Sequence, residues 1–503
     1  MPSYLSPGVY VEEVQNGARP IEGVGTAVAA FVGFASQGPL HEPTLVTNWS
    51  QFAQTFGGFG DGYLAHSVYG YFANGGGSAY IVRIGGPSAE AAPVAAPQPT
   101  QLGDLRVSAL LGAGSGITVE VVDAEGENPP EDRFRLLVKQ DGKVAESFDV
   151  STKKNVKSYV VAQVRERSKL IGITEPSGAL SRPDNQSVSV AAPPSAPAPA
   201  KLDAQEYVGD LAARTGFGGL ETIDEITMVC VPDLMSAHQR GLIDAEGVRT
   251  VQLAAISHCE QMGDRVAVLD PPPGLNALQV RDWRMDQAGY DSKYATLYYP
   301  WIKVFDPTSG RNTMVPPSGH VAGVWARSDT ERGVHKAPAN EVIRGAVDLE
   351  TNLSKGEQDL LNPIGVNCVR AFAGRGIRIW GARTLSSDPA WRYLNVRRLF
   401  NYLEESILIG TQWVVFEPND DRLWSSIRRN ISAFLHQSWR DGALFGRTAE
   451  EAFFVKCDRE NNPQESIDLG QVVCEIGVAP VKPAEFVIFR LSQFSDSTSL
   501  VNE

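Results

Sequence analysis

Residues 388–442 read DPAWRYLNVRRLFNYLEESILIGTQWVVFEPNDDRLWSSIRRNISAFLHQSWRDG, and their periodicity decides the fold class of the C-terminal quarter. Asp388 followed by Pro389 has the form of an N-cap and first helical residue, because proline has no amide hydrogen to leave unsatisfied there. Val396, Leu399, Phe400, Leu403 and Ile407 then recur at helical spacing. Arg397, Arg398, Glu404 and Glu405 fall on the opposite face, and Gly410 closes the run. Residues 411–416 read as a strand. Asn419, Asp420 and Asp421 open a second helix with the stripe Leu423, Ile427, Ile431, Phe434 and Leu435, stopped by Gly442. Strand-like runs at 453–457, 471–479 and 485–491 complete a compact α+β domain, placed over residues 362–503. The last of these runs lies near the C-terminus, where a strand can pair with a sheet of its own subunit or of another.

Outward from this domain, length and composition set bounds. A chain of 503 residues holds more than one domain, and 43% hydrophobic with 21% charged residues is ordinary for globular protein. A net charge of -14 argues against nucleic acid and against an anionic membrane surface as the main partner. Five scattered cysteines without a C-x-x-C pair fit buried thiols in a reducing compartment, with neither a disulfide framework nor a zinc site. No apolar run approaches the roughly 18 residues that span a bilayer. Pro2, Pro7, Glu12 and Glu13 stand where a signal peptide needs a basic start and an apolar core. The expectation is a protein made and kept in the cytoplasm.

The rest of the chain is laid out in blocks. Residues 1–25 hold so many breakers (Pro7, Gly8, Gly17, Pro20, Gly23, Gly25) that they read as an extended arm. Residues 26–35 form a buried strand, 49–56 and 65–73 helices, and 79–84 a second strand, the beginning of an α/β layer. Alanine- and proline-rich linkers at 87–101 and 191–200 then bracket β-like text at 117–122, 133–140, 143–150 and 158–164, with Asp141-Gly142 as a hairpin turn. Alternating text resumes at strand 226–231 and includes the long aromatic strand 294–305. The layout is thus a split α/β middle domain (26–87 plus 202–361), an inserted β-rich domain (88–201) and the α+β C-terminal domain.

A search for chemistry returns structural readings. The glycine-rich 374–376 and 112–116 fit neither a dinucleotide nor a phosphate loop, and turn geometry explains them. Ser318-Gly319-His320 lacks a G-x-S-x-G elbow, and a serine two positions from a histidine is not how triads are built. His258 beside Cys259 has no second pair at metal spacing. Asp420 and Asp421 are accounted for by a helix dipole. No catalytic, cofactor or metal residue is assigned.

One segment resists such readings: 315–327, VPPSGHVAGVWAR, running on to 331–341, ERGVHKAPANE. It closely resembles the middle signature of contractile tail sheath proteins. The opening SPGVYVEEV (6–14) resembles that family's N-terminus, and 391–446 its C-terminal domain. The resemblance covers both ends and the centre of the chain, leaving out the insertion. It implies a structural subunit, not an enzyme: six-membered rings stacked around an inner tube that shorten on triggering and drive the tube through a target envelope. It implies a subtilisin-like middle domain without a working protease site, and an insertion on the outer surface. Partners would be further copies of the chain, the inner tube protein, and baseplate and terminal cap proteins, with no nucleic acid or membrane insertion. The terminal arms would link subunits by strand exchange, through Tyr10, Val11, Val14 and Ile21 at one end and Phe486, Ile488, Phe489 and Leu491 at the other. The basic residues Arg422, Arg428, Arg429 and Arg440, off the apolar stripe of the second helix, are the expected tube contact, with a solvated helix face as the alternative. Two other classes stay open, an α/β hydrolase-like enzyme and a non-contractile tube or capsid protein.

Overall fold

A computed structural model describes residues 20–60, 62–85, 99–109, 116–124, 130–140, 142–154, 156–168, 170–174, 180–190 and 201–490. They fall into two compact units, divided at 86/87 and 200/201.

The larger unit is built on an eight-stranded sheet. Its strands are β1 (Val28–Gly33), β2 (Thr44–Val46), β3 (Ser78–Arg83), β4 (Met228–Cys230), β5 (Val266–Leu269), β6 (Ala295–Tyr299), β7 (Val366–Phe372) and β8 (Gly376–Ile379). The spatial order is β8-β7-β6-β5-β4-β1-β3-β2, parallel throughout except for β2 and β8 at the two edges. Near-continuous apolar strands such as VAAFVG and VAVL suit a sheet covered on both faces, and each face carries its own core. Because β7 and β8 extend this sheet, residues 362–385 go with the middle domain and not with the C-terminal one. The aromatic text 294–305 is two strands, not one: it breaks at Pro300-Trp301, and Ile302–Asp306 joins Arg311–Val315 and Ala346–Leu349 in a separate antiparallel sheet.

The signature 315–327 forms most of helix α1 (Ser318–Arg332), which packs on the helix Leu64–Asn74. Small residues are required there. A Cβ on Gly319 would meet Ser67 at 2.5 Å and one on Gly323 the Tyr71 carbonyl oxygen at 2.4 Å, so the helices approach backbone to backbone.

In the C-terminal region Asp388 does cap a turn, accepting from the Ala390 amide, but that turn is a short 3-10 piece. The long helix α2 runs Leu394–Thr411 and passes through Gly410. Gly410 is a packing residue: a Cβ there would lie 2.7 Å from Ile21. The predicted strand 411–416 is the end of α2 and a 3-10 turn, Gln412–Val414. Helix α3 (Asp421–Arg440) starts as expected, with Asp420 accepting from the amides of Arg422 and Leu423. Two strands follow, β9 (Phe453–Lys456) and β10 (Glu475–Val478), which among the described residues pair with each other alone. The strand expected over 471–479 is shortened because the Asn462 side-chain amide occupies Val473, bonding its carbonyl at 2.9 Å and its amide at 2.7 Å.

The smaller unit holds a four-stranded and a three-stranded antiparallel sheet around Leu105, Val107, Phe134, Leu136, Val138 and Val164. The β-like text at 158–164 is largely helix, Val160–Arg167, whose Val160, Val161 and Val164 turn inward. There burial overrides the strand preference of a β-branched run.

Candidate inter-subunit surfaces

An α/β sheet places ligands outside the carboxyl ends of strands where the winding direction reverses. Here that point is between β1 and β4, and it is filled. Asp233, fully buried just after β4, accepts the amides of Phe34 (2.7 Å), Tyr63 and Leu64 (3.3 Å). Burial pushes its carboxyl up to about 6 against the pull of those amides. Ser318, the tempting nucleophile, is buried and donates its hydroxyl to Asp270 at 2.5 Å. His320 is buried two positions on, and desolvation lowers its ring to about 3, too weak a base to take a serine proton. His258 packs against Phe217 and the Arg265 guanidinium. No group of three metal-binding side chains occurs among the described residues, and none of the described helices is long and apolar enough to cross a membrane.

What the surface does offer lies in the C-terminal domain. The β9–β10 pair is a two-stranded sheet with no further strand on either edge among the described residues. One face packs through Phe453, Val455 and Val478 onto the core of Leu399, Leu403, Ile427 and Leu435. The other presents Phe454, 58% exposed, its ring lying across Gly477. A lone two-stranded sheet with a strand edge on either side is a template for strand addition.

Both ends of the described chain are rooted where this domain meets the middle domain. Ile21 is buried against α2, the Val24 amide donates to Ser406 Oγ at 3.1 Å, and Thr26 donates to Asp329 at 2.7 Å. Tyr10, Val11, Val14 and Leu491 lie outside the described residues. Ile21, grouped with the arm from the sequence, is here part of the subunit's own core. At the other end the chain is held to residue 485. Val481 bonds Ala443, and Glu485 accepts from Arg383 (2.7 and 2.8 Å), Asn362 (2.8 Å) and Tyr393 (3.1 Å). Immediately beyond, Phe486, Val487, Ile488 and Phe489 are 67–86% exposed and belong to no strand. A clamped root thus leads directly into a bare apolar run.

The four arginines proposed off the α3 stripe separate. Arg428 is half-buried and donates to the Cys457 carbonyl at 2.9 Å, so it braces β9 from within. Arg422, Arg429 and Arg440 are exposed. At about 100° per residue their spacing returns them to one line, roughly 27 Å long. Ser425, Ser426, Ala433 and His436 accompany them there, and no carboxylate of the helix itself does; Glu450 acts electrostatically on His436.

The likenesses to known proteins run through these same regions. Residues 200–385 match the family model of the phage tail sheath protein central domain and 386–494 that of the phage tail sheath C-terminal domain. The tail sheath protein of Burkholderia phage BcepMu is 23% identical over 98% of this chain and 96% of its own length. That of Vibrio phage KVP40 is 29% identical over 47% of this chain, a match that spans only 38% of the phage protein. Among solved structures, the sheath complex of the extracellular contractile injection system PVC, in the contracted state, covers 98% of this chain and 99% of its own at TM-score 0.60 and 24% identity. The contracted helical sheath of the anti-feeding prophage gives the same score and identity, covering 98% and 100%.

Proposed function

Because this chain belongs to the phage tail sheath protein family, whose members are structural proteins and not enzymes, we propose that it polymerises as stacked six-membered rings around an inner tube and shortens to drive the tube through a target envelope. The middle domain is read as the subtilisin-like fold the family implies. The observation that carries the proposal is the pairing of a hairpin open at both edges with a clamped, apolar chain end in one domain. Strands added from neighbouring subunits satisfy the free edge groups, each hydrogen bond contributing about 0.5–1.5 kcal/mol net. Such linkages survive when subunits slide, because the connecting chain bends and the ladder does not. Baseplate and cap proteins would close the two ends of the polymer. Negative-stain images of the purified protein should show hollow cylinders; uniform monomers at every concentration would overturn the proposal.

The line Arg422, Arg429 and Arg440 is the surface turned to the tube. A basic stripe on a chain of net charge -14 fits an acidic wall. Changing all three to Glu should abolish tube-bound assembly at low salt and leave the circular dichroism spectrum unchanged. Arg428→Glu should instead lower thermal stability, since it strips a bond from β9. Tube-bound assembly by the triple variant that matches wild type would sink the contact, and so would insensitivity of the wild type to raised salt.

A further inference from the structure

Cys457 and Cys474 meet across the hairpin. The β9–β10 ladder pairs Phe453 with Val478 and Lys456 with Glu475, and carried one position further it sets Cys457 opposite Cys474. Beyond the other end the Ala479 amide donates to the Ala452 carbonyl, which makes that pair a hydrogen-bonded one. Alternation along the ladder then puts Cys457 and Cys474 in a non-hydrogen-bonded position, where Cα atoms stand about 4.5 Å apart. A disulfide needs about 4.4–6.8 Å. Both thiols are free, and each acts on the other's acidity across the hairpin. Cys457 is buried and Cys474 half-buried; the remaining cysteines, Cys230, Cys259 and Cys368, are buried in the middle domain.

We propose that Cys457 and Cys474 form an intramolecular disulfide under oxidising conditions, closing the loop 458–473 and stapling the hairpin. The oxidant is a low-molecular-weight disulfide such as glutathione disulfide. Cys474, the accessible thiol, loses its proton and attacks one sulfur of the reagent, forming a mixed disulfide and expelling one glutathione thiolate. Cys457, deprotonated in turn, attacks the Cys474 sulfur and expels the second. The two protons end on the two glutathione molecules, so one S–S bond is made in the protein and one is reduced in the reagent. Burial raises both thiols above their ordinary range, so exchange is slow at neutral pH and quickens as pH rises. A slow, stable bond of this kind is a staple and not a sensor. It stays open in a reducing cytoplasm and forms once the protein leaves it. That the staple stiffens an acceptor for neighbouring strands rests on the function proposed above; the bond itself does not.

The test uses the full-length soluble subunit, before any assembly. Incubation with glutathione disulfide, denaturation and alkylation should leave three alkylatable cysteines of five, with peptide mapping placing the link between Cys457 and Cys474. Cys457→Ser and Cys474→Ser should each abolish the link; Cys230→Ser should not. Hydrogen exchange at 453–456 and 475–478 should slow roughly tenfold on oxidation and recover with dithiothreitol. A mixed disulfide on Cys474 that never closes onto Cys457 would overturn the proposal, as would a closed bond that leaves the exchange unchanged. Neither outcome depends on polymerisation, so a failure here is distinguishable from a failure of the sheath reading.

Discussion

Deleting residues 1–19 should leave a folded, soluble subunit that no longer builds long cylinders. The cut is placed by the root of the arm. Ile21 is 9% exposed and packs on Gly410, Val24 is tied to Ser406, and Thr26 to Asp329, so the arm is anchored to its own subunit from Ile21 onward. A deletion to residue 22 would remove Ile21 and confuse loss of linkage with loss of stability. What the shorter deletion removes is Tyr10, Val11 and Val14, the residues proposed to pair with a neighbour's hairpin. A strand as short as β9 or β10 offers an edge for a handful of hydrogen bonds, roughly 2–6 kcal/mol in sum. Every 1.4 kcal/mol is about tenfold in affinity, so loss of that ladder weakens each subunit contact by roughly 30-fold or more. In a polymer the loss recurs at every lattice point. Sedimentation should give a monomer or small oligomer, with an unfolding midpoint close to wild type. Long cylinders that still contract intact would show that the arm is not the linker.

How far the sequence reveals such features depends on whether they are local. The stripe of α3, its Asp420 cap and its Gly442 stop were legible because helix period and capping act within a few residues. The alternating text of the middle domain gave away its α/β character for the same reason. Helix α2 was half legible. Leu399 and Leu403 face the C-terminal core as the stripe predicts, yet Arg397 and Arg398, assigned to the polar face, are also buried. A helix wedged between two domains has two inner faces, and only the apolar one is visible in periodicity. Gly410 misled in a related way: glycine marks helix ends and close packing alike, and Ile21, which distinguishes the two, is far away in sequence. The clamp on Glu485, the closed crevice at Asp233 and the Cys457–Cys474 pair all join residues whose proximity is set by topology. No spacing rule reaches them. Ser318 and His320, by contrast, could be set aside from the sequence itself, since they lack the local elbow that a hydrolase requires.

Replacing Arg398 by Ala should destabilise the subunit by about 3–5 kcal/mol, among the largest effects available to one side chain. Arg398 on α2 makes a bidentate pair with Asp329 on α1, at 2.9 and 2.6 Å, with both side chains under 5% exposed. It also donates to the Thr26 carbonyl at 2.9 Å, and its guanidinium lies 4.8 Å from the centre of the Trp325 ring. One cation therefore holds together the chain entering β1, the signature helix and the first helix of the C-terminal domain. Removing it leaves the Asp329 carboxylate buried with the Thr26 hydroxyl as its remaining side-chain donor among the described residues, and stranding the charge costs more than the pair contributes when intact. Arg398→Met combined with Asp329→Leu removes both charges at similar volume and should recover most of the loss. Arg398→Lys should recover little, because an ammonium cannot reproduce the fork. Urea unfolding of the three variants beside wild type measures this directly. The cost to assembly separates two uses of the pair. If Arg398 only stabilises, the double variant assembles like wild type. If the pair also fixes the angle at which the C-terminal domain presents its hairpin, the double variant folds normally and its cylinders are short or disordered. An Arg398→Ala subunit as stable as wild type would show that the buried pair does not hold the two domains together.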